Sequence, residues 1–204
     1  MALWLVAVLV VVLVAVQIVL PRVIAGQVEK RLEQDGGTAA VSISAIPAVT
    51  LAAGRGRSID IAGHDLRYDL DQRQERPFDR LDGFDHVRID FEDLEAGPVR
   101  LSRFALSRSA SNEPYELSTS GTTTPRELAD ELGSAAGGTL GGLIGGLASG
   151  LLSRGADAEV PLRLEATVVS RDGRPEVQRA RATVAGVPAG PLTELVLRSV
   201  LDRL

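Results

Sequence analysis

The hydrophobic residues recur at a helical spacing near the start of the chain and at a strand spacing beyond it. Between Arg22 and Gln34, the apolar residues Ile24, Val28 and Leu32 recur every four positions. That spacing places them on one face of a helix, so it predicts a short amphipathic helix here. The pair of glycines that follows it, at positions 36 and 37, is typical of a helix end.

Beyond these glycines the apolar residues alternate with polar ones. Alternation of this kind predicts strands with one buried and one solvated face, as in an antiparallel sheet. Val99 and Leu101 fall on the opposite parity from Phe104 and Leu106, which predicts a β-bulge between the two pairs. The predicted strands centre on residues 41–45, 59–61, 66–70, 87–92, 99–106, 115–120, 160–168 and 177–184.

The first residues of the chain are almost entirely apolar. Ala2–Leu20 contains no charge and a single polar side chain, Gln17. A helix of that length spans roughly 28 Å, close to the hydrocarbon thickness of a bilayer. We therefore predict a transmembrane anchor over residues 1–21, with a cleaved signal peptide ending near Val23-Ile24-Ala25 as the alternative interpretation.

A glycine-rich segment interrupts the predicted strands. Leu132–Ser153 carries no charge, and Gly137, Gly141 and Gly145 recur every four residues within it. Glycines at this spacing allow two helices to pack closely, whereas so many glycines also weaken a helix and suit a connector. These two interpretations and that of a second membrane span stay open, and we predict one domain over residues 22–204 that contains this segment at 133–150.

Composition and charge exclude several classes of function. The net charge of −5, from 22 basic and 27 acidic residues, is not that of a nucleic-acid-binding protein. The chain has no cysteine and only two histidines, His64 and His86, so neither a zinc site nor another cofactor site is expected. Neither a Gly-x-Ser-x-Gly nor a His-Glu-x-x-His motif is present, and we predict no enzymatic activity.

The order of motifs in the first half resembles that of the LmeA-like family of actinobacterial cell-envelope proteins. The resemblance is carried by Val41-Ser-Ile-Ser-Ala-Ile-Pro, the turn Ala53-Gly-Arg-Gly-Arg and the strands around Ile59 and Leu66. It covers residues 22–110 and, more loosely, 158–190. The resemblance implies an extracytoplasmic phospholipid-binding protein that maintains envelope glycolipids, with a sheet curled around a helix.

These observations lead to a prediction of fold and function. We expect an α+β fold in which a transmembrane helix precedes a curved antiparallel sheet wrapped around helices, as in tubular lipid-binding folds. The expected protein is a single-pass protein of the cell membrane, with the bulk of the chain extracytoplasmic, that binds or transfers phospholipid. The alternative is a structural module that packs on a membrane protein partner through its glycine-rich helix.

The lipid-binding hypothesis names a set of site residues. The guanidinium groups of Arg55 and Arg57 are suited to contact an anionic head group. The apolar face of the sheet would bury acyl chains, with a gain of about 0.8 kcal/mol for each methylene group. The predicted lining residues of that face are Ile59, Ile61, Val87, Ile89, Phe91 and Phe104.

Overall fold

The chain is built on one mixed β-sheet. A computed structural model describes residues 17, 19–34, 36–68, 78–96, 99–124, 126 and 158–188. These residues contain a sheet of nine strands, two α-helices and one 3-10 helix. The helices are α1 over residues 19–32, α2 (Asp79–Asp82) and the 3-10 helix (Ala48–Ala53). The strands are β1 (Thr38–Ser44), β2 (Gly56–His64), β3 (Arg67–Tyr68), β4 (Phe84–Ala96), β5 (Val99–Arg108), β6 (Tyr115–Thr123), β7 (Val160–Arg171), β8 (Arg174–Val184) and β9 (Val187–Pro188).

The strand order contains one parallel neighbour pair among otherwise antiparallel neighbours. The order across the sheet is β1-β2-β4-β5-β6-β7-β8-β9, and β2 and β4 run parallel with Ile59 opposite Val87 and Ile61 opposite Ile89. The short β3 also runs parallel to β4, beside its last residues. It therefore continues the line of β2 along β4 after a break at Asp65.

One face of the sheet carries the hydrophobic core. Alternate residues of the strands are buried there, and Phe91 and Phe104 stack across β4 and β5 with ring centroids 5.8 Å apart. The predicted β-bulge is confirmed, because the register of β5 against β6 shifts between Leu101 and Arg103. The extra residue turns Phe104 to the buried face, so both halves of β5 contribute to the core.

Helix α1 covers part of this face, as the four-residue spacing predicts. Ala25 is buried, and Ile24, Val28 and Leu32 pack against the core cluster. The hydrophobic stripe, rather than helix propensity, supplies most of the stability of such a helix.

Polar side chains of α1 also satisfy the free edge of β1. The backbone N–H of Val41 donates to the Glu29 carboxylate at 2.8 Å, and that of Ala39 donates to the Glu33 carboxylate at 3.0 Å. An unpaired strand edge is a template for association with other chains. The two carboxylates, one helical turn apart, occupy these donors and so protect the edge.

A buried guanidinium connects α2 to the centre of the sheet. Arg108 ends β5 with only 4% of its side chain exposed, and its Nη1 lies 3.3 Å from the Asp82 carboxylate. Its Nη2 donates to the carbonyl oxygens of Leu81, at 3.2 Å, and of Phe84. Because the cation is almost fully desolvated, it requires these acceptors in place of water.

The same carboxylate collects donors from two further strands. The Tyr115 hydroxyl of β6 donates to Asp82 at 2.9 Å, and the Ser170 hydroxyl of β7 donates to its other oxygen. Burial raises the pKa of Tyr115 far above its usual value, against the lowering effect of the Arg108 cation. The phenol therefore remains protonated and keeps its role as a donor. Phe78 packs edge-on against the Tyr115 ring at 4.7 Å.

The prediction of an α+β fold with a curved antiparallel sheet wrapped around helices is wrong. The sheet is mixed, and the described residues contain few helices. β2 extends beyond the strand predicted at 59–61 and continues through Gly63 to His64. Gly63 makes room for packing, since a Cβ there would lie 2.5 Å from the Leu66 side chain and 2.9 Å from the Phe91 ring.

The prediction of a single-pass membrane protein is contradicted as well. Within the described part of the chain, no helix combines the length and the apolar character that crossing a bilayer requires. Residues 1–16 of the predicted anchor lie outside the described residues, as do the glycine-rich segment 133–150 and the final residues from 189.

We expect Arg108→Met to destabilise the fold by about 3–5 kcal/mol, since removal of one partner leaves the other groups of a buried ion pair unpaired. Arg103→Met, on the same strand, is the matched control: its ion pair with Asp90, at 3.9 Å, is exposed. That control should change the free energy of unfolding by less than about 1 kcal/mol. Urea unfolding checks both values, and equal effects of the two substitutions would contradict a structural role for the buried guanidinium.

Candidate functional site

The six residues predicted to line a lipid groove all lie in the core. Ile59, Ile61, Val87, Ile89, Phe91 and Phe104 belong to one cluster and are between 2% and 9% exposed. The structure thus brings them together, as the alternation predicts. It surrounds them with other side chains of the chain, including the α1 residues that pack against the same cluster.

Arg55 and Arg57 lie at one end of the sheet, where β1 connects to β2. The 3-10 helix ends at Gly54, whose φ of 68° is left-handed, and the backbone N–H of Arg55 then donates to the Thr50 carbonyl at 3.0 Å. This turn leads the chain into β2, and both arginine side chains are exposed to solvent. The predicted head-group residues are therefore close in sequence and accessible, on a connection whose backbone is held by hydrogen bonds.

Large aliphatic side chains are exposed beside these arginines. Ile46 is 77% exposed and Val49 is 61% exposed, and both belong to the same connection between β1 and β2. The 3-10 helix turns Ala48 and Leu51 into the core, and so it leaves Val49 outward. Single exposed aliphatic residues are ordinary on protein surfaces, but several together at one end indicate an interaction surface.

The first described residues of α1 lie at the same end. The Gln17 side chain donates to the carbonyl oxygen of Ala45 at 2.8 Å and accepts from the backbone N–H of Ala48 at 2.7 Å. These two residues flank Ile46, so Gln17 joins the helix to the connection. Val19 and Val23, one turn apart on the first turns of α1, are each at least half exposed. We call Val19, Val23, Ile46 and Val49 the apolar end.

Sequence reasoning missed the apolar end for identifiable reasons. Ile46 follows the last alternating residue of β1, so its parity carries no information about burial. Gln17 is the single polar residue among apolar neighbours in Ala2–Leu20, and the apolar residues of that segment indicate only a membrane anchor. The isolated amide was the available signal, because a polar group within an apolar stretch requires a partner.

A polar cluster occupies the opposite end of the sheet. His64 Nε2 lies 3.3 Å from the Asp65 carboxylate, and Nδ1 lies 3.8 Å from the Asp93 carboxylate. All three side chains are more than half exposed, so water screens their interaction. Asp65 and Asp93 border a cleft of about 470 Å³ in which Arg67 and Arg100 both contact Glu95.

The remaining residues named from the sequence are His86 and three glycines. His86 is exposed on β4. The helix-packing residues Gly137, Gly141 and Gly145 lie outside the described residues. Among the described residues, the large exposed hydrophobic side chains are the four of the apolar end and Val187.

Comparison with known proteins identifies no relative. No family model matches the chain, no curated protein matches it, and no solved structure matches its fold. The geometry of the described residues therefore carries the functional conclusion by itself.

The burial of Ile89 predicts a stability effect. Ile89→Ala should lower the free energy of unfolding by about 2–5 kcal/mol, because the cavity that it leaves cannot fully collapse. Ile46→Ala is the matched control, since Ile46 is exposed, and should change the free energy by about 0.5 kcal/mol or less. Urea unfolding of both variants checks the difference. An Ile89→Ala variant of unchanged stability would show that this residue does not pack in the core.

Proposed function

We propose that the protein is a non-catalytic module that binds the surface of anionic phospholipid bilayers. One observation carries the proposal: Ile46 and Val49 on the β1–β2 connection and Val19 and Val23 on α1 are four of the five large exposed hydrophobic side chains among the described residues, and exposed Arg55 and Arg57 lie at the end of that connection and the start of β2. Aliphatic side chains beside cationic ones suit the boundary between acyl chains and phosphate groups.

The aliphatic side chains supply the apolar part of the interaction. Removing an exposed Ile or Val side chain completely from water is worth about 1.5–3 kcal/mol. Ile46 and Val49 are the most exposed large hydrophobic residues among those described, so they have the most area to transfer. At the boundary between head groups and acyl chains, the Ile46 and Val49 side chains would be removed from water.

The two arginines supply the electrostatic part. A guanidinium group presents a planar fork of donors to phosphate oxygens, which makes arginine a strong phosphate ligand. Each basic residue near an anionic membrane surface contributes about 1 kcal/mol of attraction. Since the whole chain carries a net charge of −5, this attraction depends on the local position of Arg55 and Arg57.

The packing of the core favours surface binding over carriage of a lipid inside the sheet. The six residues predicted to line a groove contact one another and the covering helix. All six side chains are almost fully removed from solvent, whereas Ile46 and Val49 are exposed and need no rearrangement to meet lipid. The phospholipid partner implied by the sequence resemblance is retained in the proposal, but its place of binding moves to the apolar end.

Co-sedimentation of the full chain with vesicles tests the proposal. Binding to mixed phosphatidylglycerol and phosphatidylcholine vesicles should exceed binding to phosphatidylcholine alone, and added salt should reduce the difference. The double variant Arg55→Gln/Arg57→Gln should bind the anionic vesicles up to about 30-fold more weakly, because two local charges are lost. Ile46→Ser/Val49→Ser should weaken binding to vesicles of either composition.

Matched variants elsewhere on the surface control for general effects. Arg179→Gln/Arg181→Gln removes two exposed arginines at the same spacing on β8, and Val187→Ser removes an exposed aliphatic side chain distant from the connection. Both should bind like the unaltered protein. The proposal fails if the control pairs weaken binding as much as the variants of the apolar end, or if no variant changes it.

A further inference from the structure

We infer that the lipid-facing surface has two halves, the β1–β2 connection and the first turns of α1, which Gln17 fixes into one unit. The inference rests on the proposed function and deepens it, because it specifies how the module lies on the bilayer. The partner is the boundary region of an anionic phospholipid bilayer, and both halves would enter it together.

The direction of α1 places its first described residues beside the β1–β2 connection. Glu33 bonds to Ala39 and Glu29 bonds to Val41, near the start of β1, whereas Gln17 bonds beyond the end of β1. The helix therefore runs antiparallel to β1, and its first turn lies beside the β1–β2 connection. Val19 comes two residues after Gln17, so it lies at the level of the connection.

One face of α1 packs on the sheet, and the opposite face is exposed. Leu20 and Ile24 pack against the core of the sheet, while Val19 and Val23 are turned away from it and are exposed. Helices that remain in water normally place polar residues on this outer face. The later part of the same face does so, with Gln27, Lys30 and Arg31 exposed. Only the turns near the connection carry aliphatic residues there.

Two features favour a bilayer as the occupant of this surface. Arg22 lies between Val19 and Val23 in sequence and is exposed, which adds a cation to the helix half of the surface. The residues that precede Gln17 in sequence, from Ala2, contain no charge, so the apolar character of the first turns continues that of the preceding sequence. A protein partner would account for the aliphatic side chains but would not require arginines in both halves.

Gln17 provides the rigidity that this arrangement requires. Its amide donates to Ala45 and accepts from Ala48 in a partly buried site, so both ends of the amide are engaged. A surface whose two halves are already joined loses less conformational entropy when it binds. The geometry thus assigns Gln17 a positioning role, without contact to lipid.

The absence of cysteine permits a direct test with the full chain. Single cysteines at Val19, Val23, Ile46 and Val49, each carrying an environment-sensitive fluorophore, report on immersion without background labelling. With anionic vesicles, all four labels should shift to shorter emission wavelengths and be quenched by nitroxide lipids. A label at Val187, also exposed, is the control and should not respond.

The outcomes separate this inference from the proposed function. If the protein sediments with vesicles and only the Ile46 and Val49 labels respond, binding stands and the two-part surface is wrong. If no vesicle binding occurs, the proposed function fails, and the inference fails with it. If the labels respond to protein concentration without vesicles, the occupant is a second copy of the chain, which overturns the inference.

Gln17→Ala tests the joining role separately. Loss of its two hydrogen bonds should weaken vesicle binding by roughly threefold to tenfold, since each neutral bond is worth about 1 kcal/mol. Gln27→Ala, which alters an exposed glutamine on the same helix, should leave binding unchanged. Equal binding of both variants, with folding verified by circular dichroism, would overturn the role of Gln17.

Discussion

The arrangement of the sheet depends on the buried ion pair between Arg108 and Asp82. A parallel pair of strands needs a crossover, and here the connection from β2 to β4 ends in α2. Arg108 and Tyr115 bind the Asp82 carboxylate at the end of that helix, which ties the crossover to β5 and β6. Removal of Arg108 or Asp82 alone would leave the other as a buried group without its partner.

The two ends of the sheet expose different kinds of side chain. At one end, the β1–β2 connection exposes Ile46 and Val49 together with Arg55 and Arg57. At the other, about 26 Å away at the usual rise of a nine-residue strand, His64 lies among exposed carboxylates. The proposed function would orient the module with Arg55 and Arg57 toward the anionic surface.

The interior and the surface of the module have separate roles in this account. The residues with the strongest alternating pattern, such as Val87 and Ile89, form the core and hold the strands in register. The residues proposed to meet lipid are exposed on the β1–β2 connection, at the start of β2 and on α1, where packing does not fix side-chain identity. A binding surface on a connection supported by a rigid sheet is the usual division between stability and function.

Strands and helix α1 were predictable because burial imposes a period on the sequence. Ile24, Val28 and Leu32 reveal α1, and the change of parity before Phe104 reveals the bulge in β5. The parallel pairing of β2 with β4 was not predictable, since alternation is the same for a strand with a parallel or an antiparallel neighbour. Only the tertiary contacts show that Gly63 makes room for Leu66 and Phe91 rather than forming a turn.

The candidate site was predictable only in part. The arginines at positions 55 and 57 stand out as a basic pair in a glycine turn, and they are exposed as expected. Ile46 and Val49 were not identified, because their exposure depends on how the 3-10 helix orients Ala48 and Leu51 toward the core. The contribution of Gln17 depends on contacts with Ala45 and Ala48, which are far from it in sequence.

Hydrogen–deuterium exchange of the full chain, with and without anionic vesicles, tests the central claim most directly. The account predicts that vesicles slow exchange in residues 45–57 and in the first turns of α1, while the amides of β4 to β6 are unchanged. Slower exchange concentrated in β4 and β5, around Ile89 and Phe104, would instead indicate that lipid enters the core. That result would contradict the assignment of lipid binding to the end of the sheet.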